Sequence, residues 1–143
     1  MITYIKILAL TAIFSFGSVP LAFSFGEPKY SKVHLSIKQD KDSTNKLIFR
    51  VSADDTMQLS FVNAPWELNL KTIDTQPNFK LAKDKYTAKD LDQGLPGFAV
   101  QIPTKELQSG ILEYRLIAFI CTKEKTRCYR EVHKNTVNLK TIK

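Results

Sequence analysis

The strongest constraint on the fold is a period-two alternation of apolar and polar residues that runs through most of the chain. Successive side chains of a β-strand point to opposite faces of a sheet, so this alternation is typical of strands with one buried face. The clearest alternating segments are 33–37, 47–51, 57–61, 66–70, 98–102 and 111–121. Polar or proline-containing stretches between them indicate turns.

Seven or eight short strands in a chain of this size predict an all-β, immunoglobulin-like β-sandwich. The longest strand, 111–121, has an unbroken apolar face that consists of Leu112, Tyr114, Leu116, Ala118 and Ile120. A final strand over 129–140 changes phase, which predicts a β-bulge. Only single helical turns are expected, at 87–93 and 104–108. The segment 74–96 has the weakest pattern and predicts a short strand at 79–81 and a long loop.

Residues 1–24 are predicted to be a cleavable signal peptide. Lys6 supplies a positive charge, residues 7–16 are an almost unbroken apolar run, and Ala22 and Ser24 are small residues at positions −3 and −1 of a cut. An uncleaved anchor is the alternative, because the apolar stretch is almost long enough to span a bilayer. We therefore expect one exported domain, residues 25–143, in the periplasm or outside the cell, without stable membrane insertion after cleavage.

The basic composition does not indicate a nucleic-acid partner. The net charge of +7 falls to +6 after cleavage, because the cut removes Lys6 and no acidic residue. The remaining basic residues are scattered among acids and form no nucleic-acid motif. Two histidines, His34 and His133, lack ligands at metal spacing, so neither a metal nor another cofactor is predicted. Catalytic-triad and phosphate-loop motifs have no support either.

Chemistry is therefore expected at the two cysteines. Cys121 and Cys128 flank a polar segment of six residues between two strands, which predicts a hairpin with both cysteines facing each other near its tip. In an oxidising compartment such a pair forms a disulfide if the geometry permits. One interpretation is a structural crosslink, although closing so short a loop is worth only about 2.5 kcal/mol. The other interpretation is a redox pair.

Local charge favours the redox interpretation. The segment between the cysteines carries three cations, Lys123, Lys125 and Arg127. Glu124 is the only opposing charge, and positive neighbours stabilise a thiolate, which favours thiol–disulfide exchange. Ile117 and Phe119 share the Cys121 side of their strand and are predicted to form an apolar docking patch.

Over residues 46–139 the chain resembles the N-terminal periplasmic domain of DsbD-type thiol:disulfide interchange proteins and related disulfide-corrector-like domains. The matching features are the turn before Met57, the Asn63-Ala64-Pro65-Trp66 break, the Leu95-Pro96-Gly97-Phe98 segment and the Cys121…Cys128-Tyr129 hairpin. The hairpin is the most specific of them. The chain departs from the family in having six residues between the cysteines instead of five, and Arg130-Glu131 where the family has prolines.

The resemblance implies an immunoglobulin-like fold in which Cys121 and Cys128 exchange electrons, without a cofactor, with a thioredoxin-like protein or a membrane thiol:disulfide oxidoreductase. It also implies an aromatic cap over the pair, for which Tyr86 is the candidate, with Tyr129 as a further cap or docking residue. These 143 residues contain no electron source of their own, so a separate reductase is expected. The alternative function is a non-catalytic binding or assembly module, with recognition loops at 74–96 and a structural disulfide.

Overall fold

The alternating segments form eight β-strands in the computed structural model, which describes residues 28–73, 81–104, 107 and 110–143. The strands are β1 (Ser31–Gln39), β2 (Asn45–Ala53), β3 (Met57–Leu59), β4 (Glu67–Ile73), β5 (Lys85–Thr87), β6 (Gly97–Ile102), β7 (Ile111–Thr122) and β8 (Cys128–Asn138). Single-turn 3₁₀ helices follow β5 and β8, at Ala88–Asp90 and Leu139–Thr141. The predicted signal peptide lies outside the described residues.

The strands pack as two antiparallel sheets. One sheet has the order β1-β2-β6, and the other contains β3, β4, β5, β7 and β8. Because β8 occupies one edge of β7 from Ile111 to Cys121, β3 and β4 must follow one another along the opposite edge. With β5 outside β4, this arrangement is an immunoglobulin-like sandwich, and the predicted all-β fold class is confirmed.

The core lies between the two sheets and fixes the orientation of β7. The apolar face predicted for this strand is buried, with Leu112, Leu116, Ala118 and Ile120 at 0% exposure. Burying a side chain of leucine size stabilises the fold by roughly 1.5–3 kcal/mol. Since the inward residues have even numbers, the odd-numbered residues of β7, including Cys121, point away from the core.

The prediction of a β-bulge in the last strand, β8, is wrong. β7 and β8 pair without interruption from Ile111 opposite Asn138 to Cys121 opposite Cys128. The change of phase in the sequence has another cause: two polar residues, Glu131 and His133, take buried positions where apolar residues were expected.

The segment with the weakest pattern contains a strand that was predicted as loop. Lys85–Thr87 forms β5, which is too short to show a period in the sequence. In the strand predicted at 79–81, Leu81 is outside any strand and Phe79 is outside the described residues. The helical turn predicted within 87–93 is confirmed as Ala88–Asp90, and the turn at 104–108 falls partly outside the described residues.

Candidate redox site

A disulfide bond joins Cys121 and Cys128 at the end of the β7–β8 hairpin. The two residues are directly opposite each other in the strand register, with their Cα atoms 4.0 Å apart. The hairpin and the pairing of its cysteines, which the sequence predicted, are therefore confirmed.

Thr122 organises the turn between the two cysteines. Its carbonyl oxygen accepts the N–H of Lys125 at 2.8 Å, and its N–H donates to the carbonyl oxygen of Arg127 at 2.9 Å. The hydroxyl of Thr122 also accepts the N–H groups of Thr126 and Arg127, at 3.2 and 3.4 Å. Lys125 has φ = 58°, in the left-handed region that disfavours residues with a Cβ. The polar segment thus forms a closed turn with an unfavourable backbone position at a lysine.

The two halves of the disulfide differ in exposure. Cys121 is only 4% exposed, whereas Cys128 is exposed. The topology explains this difference, because β7 has a neighbour on each edge at this level: Gln58 of β3 on one side and Cys128 on the other. The Gln58 side chain also donates to the carbonyl oxygens of Thr122 and Lys123, at 3.3 and 3.4 Å. Among the strands that the structure describes, β8 pairs with β7 alone, so Cys128 lies on an open edge of the sheet.

A cavity of about 380 Å³ adjoins the disulfide, and both cysteines line it together with Gln58, Phe61, Val62 and Lys125. Phe61 and Val62 belong to the excursion between β3 and β4, where Phe61 stacks on Trp66 with ring centroids 5.5 Å apart. The indole N–H of Trp66 donates to the carbonyl oxygen of Ser60 at 2.6 Å and closes this excursion. Val62 is 81% exposed, so it forms an apolar rim of the cavity.

Sequence reasoning identified the break at 63–66 but did not place Phe61 beside the cysteines. A weak signal was present, because Phe61 and Val62 are consecutive apolar residues directly before the break, against the alternation. Their position depends on β3 pairing with the last residues of β7, which is a long-range contact.

Tyr86, the cap candidate, lies elsewhere. It pairs with Leu68 of β4 and packs edge-on against Phe98, with centroids 6.2 Å apart. Leu68 in turn pairs with Leu116, five residues before Cys121 on β7, which corresponds to about 16 Å along the strand. Burial raises the pKa of Tyr86, with smaller contributions from Asp90 and Asp84. The structure therefore places Tyr86 at the opposite edge of the sheet, whereas Phe61 lines the cavity beside the disulfide.

The other predicted docking residues are only partly available. Ile117 is 5% exposed because β4 and β8 flank it, with Glu67 and Val132 as its paired neighbours. Phe119 is half-buried. Tyr129 follows Cys128 but packs against Tyr30, with ring centroids 4.8 Å apart and the ring planes tilted by 37°.

All three predicted cations of the turn are exposed, and Lys125 is the one among them that lines the cavity beside the disulfide. Within the described part of the chain, none of the ion pairs includes Lys123, Lys125 or Arg127. Their charges are therefore open to solvent and to any molecule that approaches Cys128.

A second polar cluster, which the sequence did not predict, lies on the inward face of β8. The carboxylate of Glu131 accepts the N–H groups of Lys29 and Tyr30 at 2.9 and 2.8 Å, and also accepts the hydroxyl of Ser31. The Ser31 hydroxyl oxygen lies 2.8 Å from Nε2 of His133. Since Ser31 gives its proton to Glu131, its oxygen accepts from His133, which places a proton on Nε2.

Burial lowers the pKa of His133, and the negative charge of Glu131 opposes this effect. The cluster is enclosed, with Ser31, Glu131 and His133 all less than 9% exposed. It ties the start of β1 to β8 across the open side of the sandwich.

Comparisons with known proteins gave no match among family models, curated proteins or solved structures. In the ranges that the structure describes, no helix is long and apolar enough to cross a membrane. The same ranges contain no group of three or more histidine, cysteine or acidic side chains placed to hold a metal ion.

Proposed function

We propose that this chain is an exported domain, periplasmic or secreted, that exchanges thiols and disulfides with thioredoxin-like partners or a membrane thiol:disulfide oxidoreductase through Cys121 and Cys128. The observation that carries the proposal is the asymmetric disulfide: an exposed Cys128 on an open sheet edge is bonded to an enclosed Cys121 beside a cavity. A disulfide of this kind offers one sulfur to an external thiolate and keeps the other within the protein.

The chemistry follows from this exposure. A partner thiolate attacks Sγ of Cys128 in line with the S–S bond, and the bonding electron pair leaves with Sγ of Cys121. The Cys121 thiolate then takes a proton from solvent, while Cys128 and the partner remain joined by a mixed disulfide. The second thiol of the partner then attacks the partner's sulfur atom in the mixed disulfide. This attack releases the Cys128 thiolate, which takes a proton in turn. Two electrons and two protons have then passed to this chain, and the reverse sequence reduces the partner.

Lys125 favours the first step. Lys125 lines the same cavity as Cys121 and Cys128, and a cation near the disulfide stabilises the leaving thiolate. Lys123 and Arg127 add to the positive potential from the exposed side of the turn.

Three further features support the proposal. The residues 1–24 have the pattern of a signal peptide, which would deliver the chain to an oxidising compartment. The hairpin cysteines are also the most specific part of the resemblance to DsbD-type N-terminal domains. Finally, Phe61 lines the cavity that borders the disulfide, so an aromatic side chain is available there, as the resemblance implies for a cap.

The test is the reduction potential of the disulfide in glutathione buffers together with trapping of a mixed disulfide. A potential above about −300 mV is expected, since structural disulfides typically lie below that value. A thioredoxin variant whose second cysteine is replaced by serine, and whose remaining cysteine is activated as a mixed disulfide with thionitrobenzoate, should form a stable covalent complex with the Cys121→Ser variant, in which Cys128 is free, and not with Cys128→Ser. The Cys128 thiolate displaces thionitrobenzoate in this reaction. A potential below about −300 mV together with no trapped complex would reject the exchange function.

The second candidate is a non-catalytic binding or assembly module with a structural disulfide. A cavity of about 350 Å³ favours it, lined by Ser43, Thr44, Leu81, Ala82 and Thr104 among others. This cavity adjoins the β1–β2 turn, at the end of β2 away from the hairpin cysteines. The candidate predicts that the double variant Cys121→Ser/Cys128→Ser loses stability and keeps its binding, which separates the two functions.

A further inference from the structure

The surface around Cys128 combines positive charge with one apolar side chain. Lys123, Lys125 and Arg127 are exposed on the turn, and Val62 projects from the neighbouring excursion. We call these four residues the hairpin rim. Val62 and Lys125 line the cavity that both cysteines share, so the rim directly borders the disulfide.

Any protein that reacts at Cys128 must cover this rim. The attacking sulfur has to come within bonding distance of Cys128, and a specific interface buries roughly 800 Å² on each partner, so the residues that border Cys128 are covered with it. The rim cations then lose part of their water. Since burying an unpaired charge is unfavourable, a productive partner has to supply opposite charges at these positions.

The acidic side chains in the described part of this chain do not supply these opposite charges. Glu124 lies in the same turn, and Asp54 and Asp55 precede β3, which pairs with the end of β7. Among the described residues, none of these carboxylates forms an ion pair with a rim cation. Glu131, although close to Cys128 in sequence, faces inward and is occupied by hydrogen bonds from residues 29–31.

We propose that the hairpin rim is a docking surface for a dithiol protein whose reactive cysteine is surrounded by acidic side chains, with Val62 as the apolar contact. This proposal rests on the proposed function, because it identifies the kind of partner that uses the same disulfide.

The experiment measures the rate at which the oxidised protein is reduced by two synthetic peptides. Both contain the same Cys-Gly-Pro-Cys segment, flanked on each side by four glutamates in one peptide and by four lysines in the other. Acidic neighbours also change the reactivity of the peptide thiol itself. Each rate is therefore divided by the rate of the same peptide with hydroxyethyl disulfide, which is small and uncharged.

The acidic peptide is expected to react about tenfold faster than the basic one at 20 mM ionic strength, and the ratio should fall to within about twofold at 500 mM. The variant Lys123→Glu/Lys125→Glu/Arg127→Glu should invert the preference. A matched control, Lys38→Glu/Lys134→Glu/Lys140→Glu, changes the net charge equally at exposed positions away from the hairpin tip and should keep it. Substituting Val62→Ser should slow both peptides by a similar factor.

Two results would overturn the docking surface while leaving the exchange function intact. One is equal normalised rates for both peptides at low salt. The other is an equal inversion by the control variant, which would assign the effect to net charge alone. Failure of both peptides to reduce the disulfide, under conditions that reduce hydroxyethyl disulfide, would instead reject the exchange function and this proposal with it.

Discussion

The hairpin tip and the Glu131 cluster lie on the same strand, β8, only three residues apart, yet they differ in the properties that decide reactivity. Cys128 is exposed and bordered by cations without ion-pair partners in the described chain. Glu131 points to the other face, where it is 8% exposed and accepts three hydrogen bonds. Because side chains alternate along a strand, Cys128 is available for chemistry on one face, while Glu131 stabilises the fold on the other.

This comparison also shows how an edge strand serves two purposes. At the free edge of β8 the described residues place no further strand, so Cys128 can be approached. The inward face closes the open side of the sandwich through hydrogen bonds to the start of β1. Disturbing the tip should therefore change exchange rates, and disturbing the cluster should change the free energy of unfolding.

The largest effect is expected in the alkylation rates of two variants in which one cysteine or the other is replaced by serine. In Cys121→Ser the remaining Cys128 thiol is exposed, and in Cys128→Ser the remaining Cys121 thiol is enclosed. Iodoacetamide should modify the folded Cys121→Ser variant about 100-fold faster than the folded Cys128→Ser variant, because alkylation requires an accessible thiolate. The difference should vanish in 8 M urea. Equal rates in the folded state would contradict the asymmetry of the disulfide.

Glu131→Ala should give the next largest effect, a loss of about 3 kcal/mol in the free energy of unfolding. The substitution removes the acceptor for the buried hydroxyl of Ser31 and for the partly buried N–H groups of Lys29 and Tyr30. A buried donor without a partner costs roughly 1–3 kcal/mol, and a partly buried one costs less. Urea unfolding measures the loss. Glu131→Gln keeps an acceptor oxygen and should lose about 1 kcal/mol. Thiol exchange by the folded fraction should stay within about twofold of the wild type, and a larger change would mean that the two regions are coupled.

A smaller effect is expected for Lys125→Asn, with opposite signs for stability and exchange. Asparagine tolerates the left-handed backbone better than lysine, so the variant should gain about 0.5 kcal/mol. Loss of the cation beside the disulfide should slow exchange about threefold. Lys123→Asn removes the same charge from a position outside the cavity and serves as the control. Equal slowing by both variants would assign the effect to the turn as a whole.

The smallest effect is the pH dependence that comes from His133. Because burial lowers its pKa in the folded state, the unfolded chain binds this proton more readily. The contribution of neutral His133 is fully present above its ordinary pKa, about 6.5. It is lost as the pH falls through the lowered folded-state pKa. The urea midpoint of the wild type should therefore fall more than that of His133→Gln between pH 7.5 and 5. Parallel curves for the two proteins would show that His133 does not titrate differently on folding.

Much of the architecture could be predicted because strand formation is a local property. The alternation identified most strands and the buried face of β7, and the polar segment between Cys121 and Cys128 predicted the hairpin and its disulfide. The errors arose where local pattern and tertiary position disagree. β5 is too short to have a period, and the inward polar residues Glu131 and His133 were interpreted as a bulge.

The candidate site was predictable only in part, for the same reason. Cys121, Cys128 and the three turn cations are neighbours in sequence, so a single segment determined their proximity. Phe61 reaches the disulfide only because β3 pairs with the end of β7, and Tyr86 is held away from it by its pairing with Leu68. Such contacts depend on strand order, to which the alternation pattern is insensitive.

By itself, then, the sequence determined an all-β chain with a crosslinked hairpin that carries positive charge at its tip. Only the tertiary structure decided that Cys121 is enclosed and Cys128 is open, since this depends on which strands lie beside β7 and β8. It likewise decided that Glu131 and His133 are buried partners of Ser31, about one hundred residues away in sequence. Local pattern specifies strands and turns, whereas exposure and reactivity depend on which strands become neighbours.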